Sequence, residues 1–209
     1  MRTPLILFVA CVFPASCIAQ DVQFRFEVKP PPGTLSELKA LPGPAPDHPC
    51  RFAPIGPDSS RPTPVTLPDT TLLFLPQGWQ PLPAPESDPG LDVTRVTTPD
   101  GSRMSIAVGR NGARGRSSLS YGPGEELPRG ESCTVENGDL GAIWTFYGPS
   151  AAVADRPLPF TGLADFIAPG PRWYRVSIYS KTPQQRDFVA RRITNLLLHR
   201  SVGPAGIPL

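Results

Sequence analysis

The chain holds only two histidines and four cysteines among its 209 residues, so the candidates for metal or thiol chemistry are few. Cys11 and Cys17 fall in the first twenty residues. That leaves Cys50 and Cys133 with His48 and His199. An even pair of cysteines in a chain sent to an oxidising space reads as a disulfide. The sharper alternative is a zinc site from His48, Cys50, Cys133 and His199. No two of these stand at a recognised zinc-ligand spacing, so no metal and no cofactor are expected.

Other chemistries are thinly supplied. Residues 109–116 place Arg110, Arg114 and Arg116 among three glycines, a loop that could hold an anion with backbone N–H groups and guanidinium forks. It lacks the lysine and spacing of a phosphate loop, and a solvated connection between strands explains the same residues. Ser36 and Lys39 stand at the Ser-x-x-Lys spacing of certain acyl-serine enzymes, but a helix cap at Thr34 and Glu37 explains them too. Glu125 with Glu126, or Asp100 with Asp139, offer carboxylates for acid–base work, although acids in turns are usually solvated. No catalytic residue is assigned. Of the three tryptophans, Trp79 is flanked by proline and glycine and is the one that could present its indole to a partner; Trp144 and Trp173 read as core.

The start of the chain reads as an address. Arg2, an apolar run over residues 5–13 and small residues before Gln20 form a secretory signal peptide over 1–19. A rival reading attaches lipid at Cys17, the one route by which membrane contact is expected. Cleavage before Gln20 leaves 190 of the 209 residues and lowers the formal charge from +2 to +1. Such a balance exerts no strong pull on nucleic acid or anionic membrane.

The elements that must carry these residues follow from periodicity and turn signals. Seventeen of the 30 prolines fall between Pro30 and Pro89, so residues 20–70 read as an N-terminal strand at 22–28 followed by a Pro-rich arm. A short helix opening at Thr34 interrupts the arm and stops at Pro42. Residues 71–200 then form the main domain, and 201–209 a flexible tail. Strands are expected at 71–75, at 91–98 and 103–109 as a hairpin, at 131–136 and 139–147 through Asn137-Gly138, and at 160–168. Aromatics on both faces of 139–147 place that strand near the middle of the sheet.

The closing unit organises the rest. In the strand from Trp173 to Tyr179, Tyr174, Val176 and Ile178 share one face and Arg175 and Ser177 the other. A helix follows, with Thr182 as N-cap, Pro183 at its first position, Gln185 completing a capping box, and Val189, Ile193, Leu196 and Leu197 in one apolar stripe edged by Phe188. His199 complements its carbonyl end. The expected fold is α+β: a single antiparallel sheet of about seven strands covered by one long C-terminal helix, with a Pro-rich arm.

With Pro76-Gln-Gly-Trp79 after an apolar strand, successive hairpins, and a strand–helix unit ending in Ile193-Thr-Asn-Leu-Leu-Leu198, residues 71–200 resemble Mog1/PsbP-type domains. The resemblance implies a non-enzymatic binding or assembly role and transfers no catalytic residue. The expectation is therefore a secreted or periplasmic binding module whose partner is another envelope protein. A small hydrolase using acidic residues, and a carrier of an apolar ligand held between sheet and helix, are the two other readings.

Overall fold

The computed structural model describes residues 32–41, 46, 48–52, 62–83, 93–108, 130–149, 157–170 and 172–198. The leader, the strand expected at 22–28, the loop 109–116, Glu125, Glu126, His199 and the tail lie outside them. In chain order the elements are α1 (Leu35–Lys39), β1 (Thr63–Thr66), β2 (Leu72–Leu75), β3 (Gln80–Leu82), β4 (Val93–Thr97), β5 (Arg103–Val108), β6 (Gly130–Asn137), β7 (Leu140–Tyr147), β8 (Phe160–Ala168), β9 (Arg172–Ser180) and α2 (Pro183–Leu198).

Seven strands make the main sheet, in the order β3-β4-β5-β9-β8-β7-β6 with every neighbouring pair antiparallel. The α+β class and the long C-terminal helix are as expected. The single sheet is not. The strand expected at 71–75 is β2, and it leaves the main sheet to pair with β1 in a separate two-stranded ribbon. β1 lies inside the region read as a Pro-rich arm; Pro64 is tolerated there because each strand of such a ribbon needs hydrogen bonds on one side only.

α2 lies on the face formed by Trp144, Phe166, Tyr174, Val176 and Ile178, and buries Val189, Ala190, Ile193, Thr194, Leu197 and Leu198 against it. Leu196 is only partly buried and Phe188 is 43% exposed beneath the Arg192 guanidinium. Each fully buried side chain of the stripe contributes about 1.5–3 kcal/mol. The Gln185 N–H donates to the Thr182 hydroxyl at 3.2 Å, while Gln185 Oε1 is buried without a partner. The expected capping box is thus half made.

β7 is not central: it lies one strand from the β6 edge. Its second face is apolar because α1 covers it, packing Leu35 and Leu38 on Ile143, Ile167 and Trp173. α1 carries a complete capping box between Thr34 and Glu37, and its first N–H is taken by the Asp139 carbonyl at 2.8 Å. Gly141 has no side chain to collide with Leu35, which lets the short helix sit close. The β6–β7 turn is Gly138-Asp139, one residue later than expected, since the positive φ of 61° falls on the first of its two central residues.

Among the described residues, both edges of the sheet are protected. Beside β6, the Cys50 N–H donates to the Thr134 carbonyl at 2.9 Å and the Thr134 N–H to the His48 carbonyl at 3.0 Å. The Cys50–Cys133 disulfide, with Cα atoms 4.8 Å apart, fixes this segment covalently. Phe52 packs edge-on to Phe146, and its carbonyl accepts from Arg191 of α2. The opposite edge, β3, is three residues long and contains Pro81, too short and too poor in donors to extend the sheet.

Candidate functional site

Among the described residues, three polar clusters and one groove are candidates for chemistry or recognition. The first cluster joins the ribbon to the sheet. Tyr174 Oη donates to Asp69 Oδ2 at 2.7 Å, the Thr71 hydroxyl and backbone N–H donate to the same carboxylate at 2.9 and 3.1 Å, and Arg172 reaches both Asp69 and Thr71. Burial opposes ionisation of Asp69, but these hydrogen bonds and the Arg172 charge outweigh it and hold the pKa below the ordinary 3.8. Thr70, between Asp69 and Thr71, adopts a φ of 68°, held by the Thr70 N–H donating to the Leu67 carbonyl.

The second cluster is the β4–β5 turn. Asp100 accepts from the Thr98 hydroxyl at 2.5 Å and the Ser102 N–H at 2.9 Å, and Gly101 takes the positive φ the turn needs. Burial again raises the pKa of this carboxyl, and the Thr98 and Ser102 hydrogen bonds with the nearby Lys181 charge more than reverse it. A general acid needs a raised pKa, so neither Asp69 nor Asp100 is poised to give up a proton near neutrality. The third cluster is Asp165, 1% exposed, accepting from Arg175 Nε at 2.9 Å while the guanidinium lies over the Trp173 ring.

The groove lies on the face away from α2. Strand alternation sends Met104, Ile106, Val176 and Ile178 into the α2 core, so Arg103, Ser105, Ser177 and Tyr179 project to the other side. The register sets Leu82 opposite Arg95, Arg95 opposite Ser105, and Arg103 opposite Tyr179. Together with Leu158 these side chains line a cavity of about 460 Å³. Tyr179 and Leu82 are each 38% exposed, and Arg103 is exposed as well. Among the described residues no helix covers this half of the face; α1 sits at its other end, over Trp173 and Ile167.

Several expected site residues fall elsewhere. Cys50 and Cys133 are joined in the disulfide, which removes two of the four ligands of the zinc alternative. Trp79 is only 3% exposed and belongs to the core, so it has no surface to offer a partner. The Pro76-Gln-Gly-Trp79 turn packs on the β4–β5 turn instead: a Cβ on Gly78 would come 2.8 Å from Pro99 Cγ. Arg110, Arg114 and Arg116 lie outside the described residues. Lys39 is ion-paired to Glu136 at 2.5 Å, away from any role with exposed Ser36. Asp100 and Asp139 occupy turns at opposite ends of the sheet, because Arg103 aligns with the last residues of β9 and Gly141, through Ile167, with the first. They cannot act as a pair.

Sequence reasoning missed Leu82, Arg95, Arg103 and Tyr179. The alternation in 103–109 already turns Arg103 outward, but the crossover that sets β5 beside β9 has no local signature. No protein-family description, no characterised protein and no solved structure matches this chain.

Proposed function

We propose that this protein is a non-catalytic binding or assembly module of an oxidising compartment outside the cytoplasm, secreted or periplasmic, that contacts another envelope protein through the face of its sheet opposite α2. The observation that carries this reading is the groove between Arg95, Arg103, Leu82 and Tyr179, where charged and apolar side chains converge on a face that α1 leaves uncovered. The disulfide supports the compartment, since such bonds persist where thiols are not kept reduced. The resemblance of residues 71–200 to Mog1/PsbP-type domains supports the binding role. The hydrolase reading finds less support, because the hydrogen bonds to Asp69 and Asp100 stabilise their charged forms and Asp165 is buried in an ion pair with Arg175. The carrier reading requires space beneath α2, a layer filled by Trp144, Phe166, Ile193 and Leu197.

The test is site-specific photo-crosslinking in the envelope of cells making the full chain, with a benzophenone amino acid at Tyr179 and, as control, at exposed Asn195 on the outer side of α2. One discrete protein adduct from Tyr179 and none from Asn195 is expected. Absence of an adduct at Tyr179, or the same adducts from both positions, overturns the reading.

A further inference from the structure

We infer that the Cys50–Cys133 bond is a redox-operated latch: a dithiol donor opens it, residues 48–52 leave the β6 edge, and that edge pairs with β6 of a second copy of the chain. Residues 48–52 run beside β6 as a strap. Thr134 turns both backbone groups toward it, the N–H donating to the His48 carbonyl at 3.0 Å and the carbonyl accepting from the Cys50 N–H at 2.9 Å. Alternate residues of a strand turn their backbone groups the same way, so those of Ser132 and Glu136 also face outward from β6.

Apart from the disulfide, the strap is attached shallowly. Phe52 meets Phe146 edge-on, the Phe52 carbonyl accepts from Arg191 at 3.3 Å, and none of residues 48–52 is buried. Contacts of this kind do not offset the entropy of ordering the segment once the covalent tie is gone. β6 keeps its own place, because residues 130–137 are paired with β7 along their whole length. Opening the bond is therefore a local event.

Exposure sets the direction of the exchange. Cys50 is half-buried and Cys133 is 7% exposed, so the donor's thiolate attacks Cys50 Sγ. The Cys50–Cys133 bond breaks as the mixed disulfide forms, and Cys133 leaves as a thiolate that takes up a proton. The donor's second thiolate then attacks the donor sulfur of the mixed disulfide, closing the donor's own disulfide and releasing Cys50 to be protonated in turn. Two electrons have passed from the donor to the cysteine pair.

The bared edge is built for self-pairing. β6 is eight residues long and contains no proline, whereas β3 at the other edge has three residues and Pro81. Two copies of one strand related by a two-fold axis are antiparallel. An axis at Thr134 aligns residues 131–137 with themselves, Glu136 opposite Ser132 and Glu131 opposite Asn137, so no two like charges meet. It also sets Cys133 opposite Val135 of the second copy, covering apolar surface that the strap uncovers.

The test compares the purified protein, oxidised and in dithiothreitol, with C50S/C133S, by analytical ultracentrifugation and by tryptic cleavage after Arg51. The oxidised protein is expected to be monomeric. The reduced protein and C50S/C133S are expected to keep the folded tryptophan signal, to be cut after Arg51 at least tenfold faster, and to dimerise with rising concentration. In dithiothreitol, S132E sets like charges opposite Glu136 twice per dimer and is expected to associate about tenfold more weakly than S132K. Should S132E not fold, S132K against reduced wild type decides, with tighter association expected. A reduced protein that stays monomeric, unchanged cleavage after Arg51, loss of the folded signal on reduction, or no effect of charge at position 132 overturns the inference.

Discussion

The indole Nε1 of Trp144 donates to the Thr194 hydroxyl at 3.0 Å, and that hydroxyl donates in turn to the Ala190 carbonyl at 2.7 Å. One buried chain of hydrogen bonds thereby fixes the rotation of α2 on the sheet. Trp144 is stacked on Phe146 and edge-on to Phe166, with centroids 5.4 and 5.6 Å away, so the donor cannot swing to another acceptor. The apolar stripe of α2 gives the attraction, and this bond gives the register.

Replacing Thr194 by Val keeps the volume but leaves the Trp144 N–H buried and unpaired. T194V is expected to lose about 1–3 kcal/mol, while T194S, which keeps the hydroxyl, loses less. Urea unfolding followed by tryptophan fluorescence measures both. Equal stabilities of T194V and T194S would show that the hydroxyl contributes nothing.

The disulfide closes a loop with a sequence separation of 83 residues. In the chain-entropy view such a link stabilises the folded state by roughly 4–5 kcal/mol, less any strain. The double variant C50S/C133S is therefore expected to unfold at markedly lower urea than the oxidised protein, and to match the wild type measured with reductant present. Since Cys50 sits on the outer edge of β6, hydrogen exchange at Thr134 is expected to rise as well.

What could be read from the sequence was whatever is local. The α2 stripe, the Thr34 cap, the β4–β5 hairpin and the final strand all rest on spacings within about a dozen residues. β1 and β3 were hidden because Pro64 and Pro81 argue against any strand, and only their edge positions make them tolerable. β7 looked central because Ile143 is apolar on the side facing away from α2, yet the cover there is α1, a distant five-residue helix. The groove was illegible for the same reason: Arg103 meets Tyr179 only through the β5–β9 pairing.

Asp69 predicts a pH dependence with a definite sign. Its folded pKa lies below the ordinary 3.8, so its contribution is fully present above that value and is lost as the pH falls through the folded pKa. D69N is expected to be less stable than wild type at neutral pH, with the gap narrowing in acid below about pH 4. Y174F removes the 2.7 Å hydrogen bond to the carboxylate and is expected to cost about 1.5–3 kcal/mol at neutral pH, with the difference likewise shrinking in acid. Thermal unfolding at a series of pH values tests both; a gap that widens on acidification would contradict the argument.

The Asp165–Arg175 pair makes a prediction of a different kind, because one partner is buried and the other reaches the surface. Arg175 is also laid over Trp173, whose ring packs against α1. R175M keeps much of the stem packing but leaves a carboxylate at 1% exposure without its guanidinium. The cost is expected to be about 3 kcal/mol, because the buried carboxylate loses its guanidinium. The double variant D165N/R175M removes that charge and should recover most of the loss. Should the double variant be no more stable than R175M, the arginine acts through packing on Trp173 rather than by neutralising Asp165.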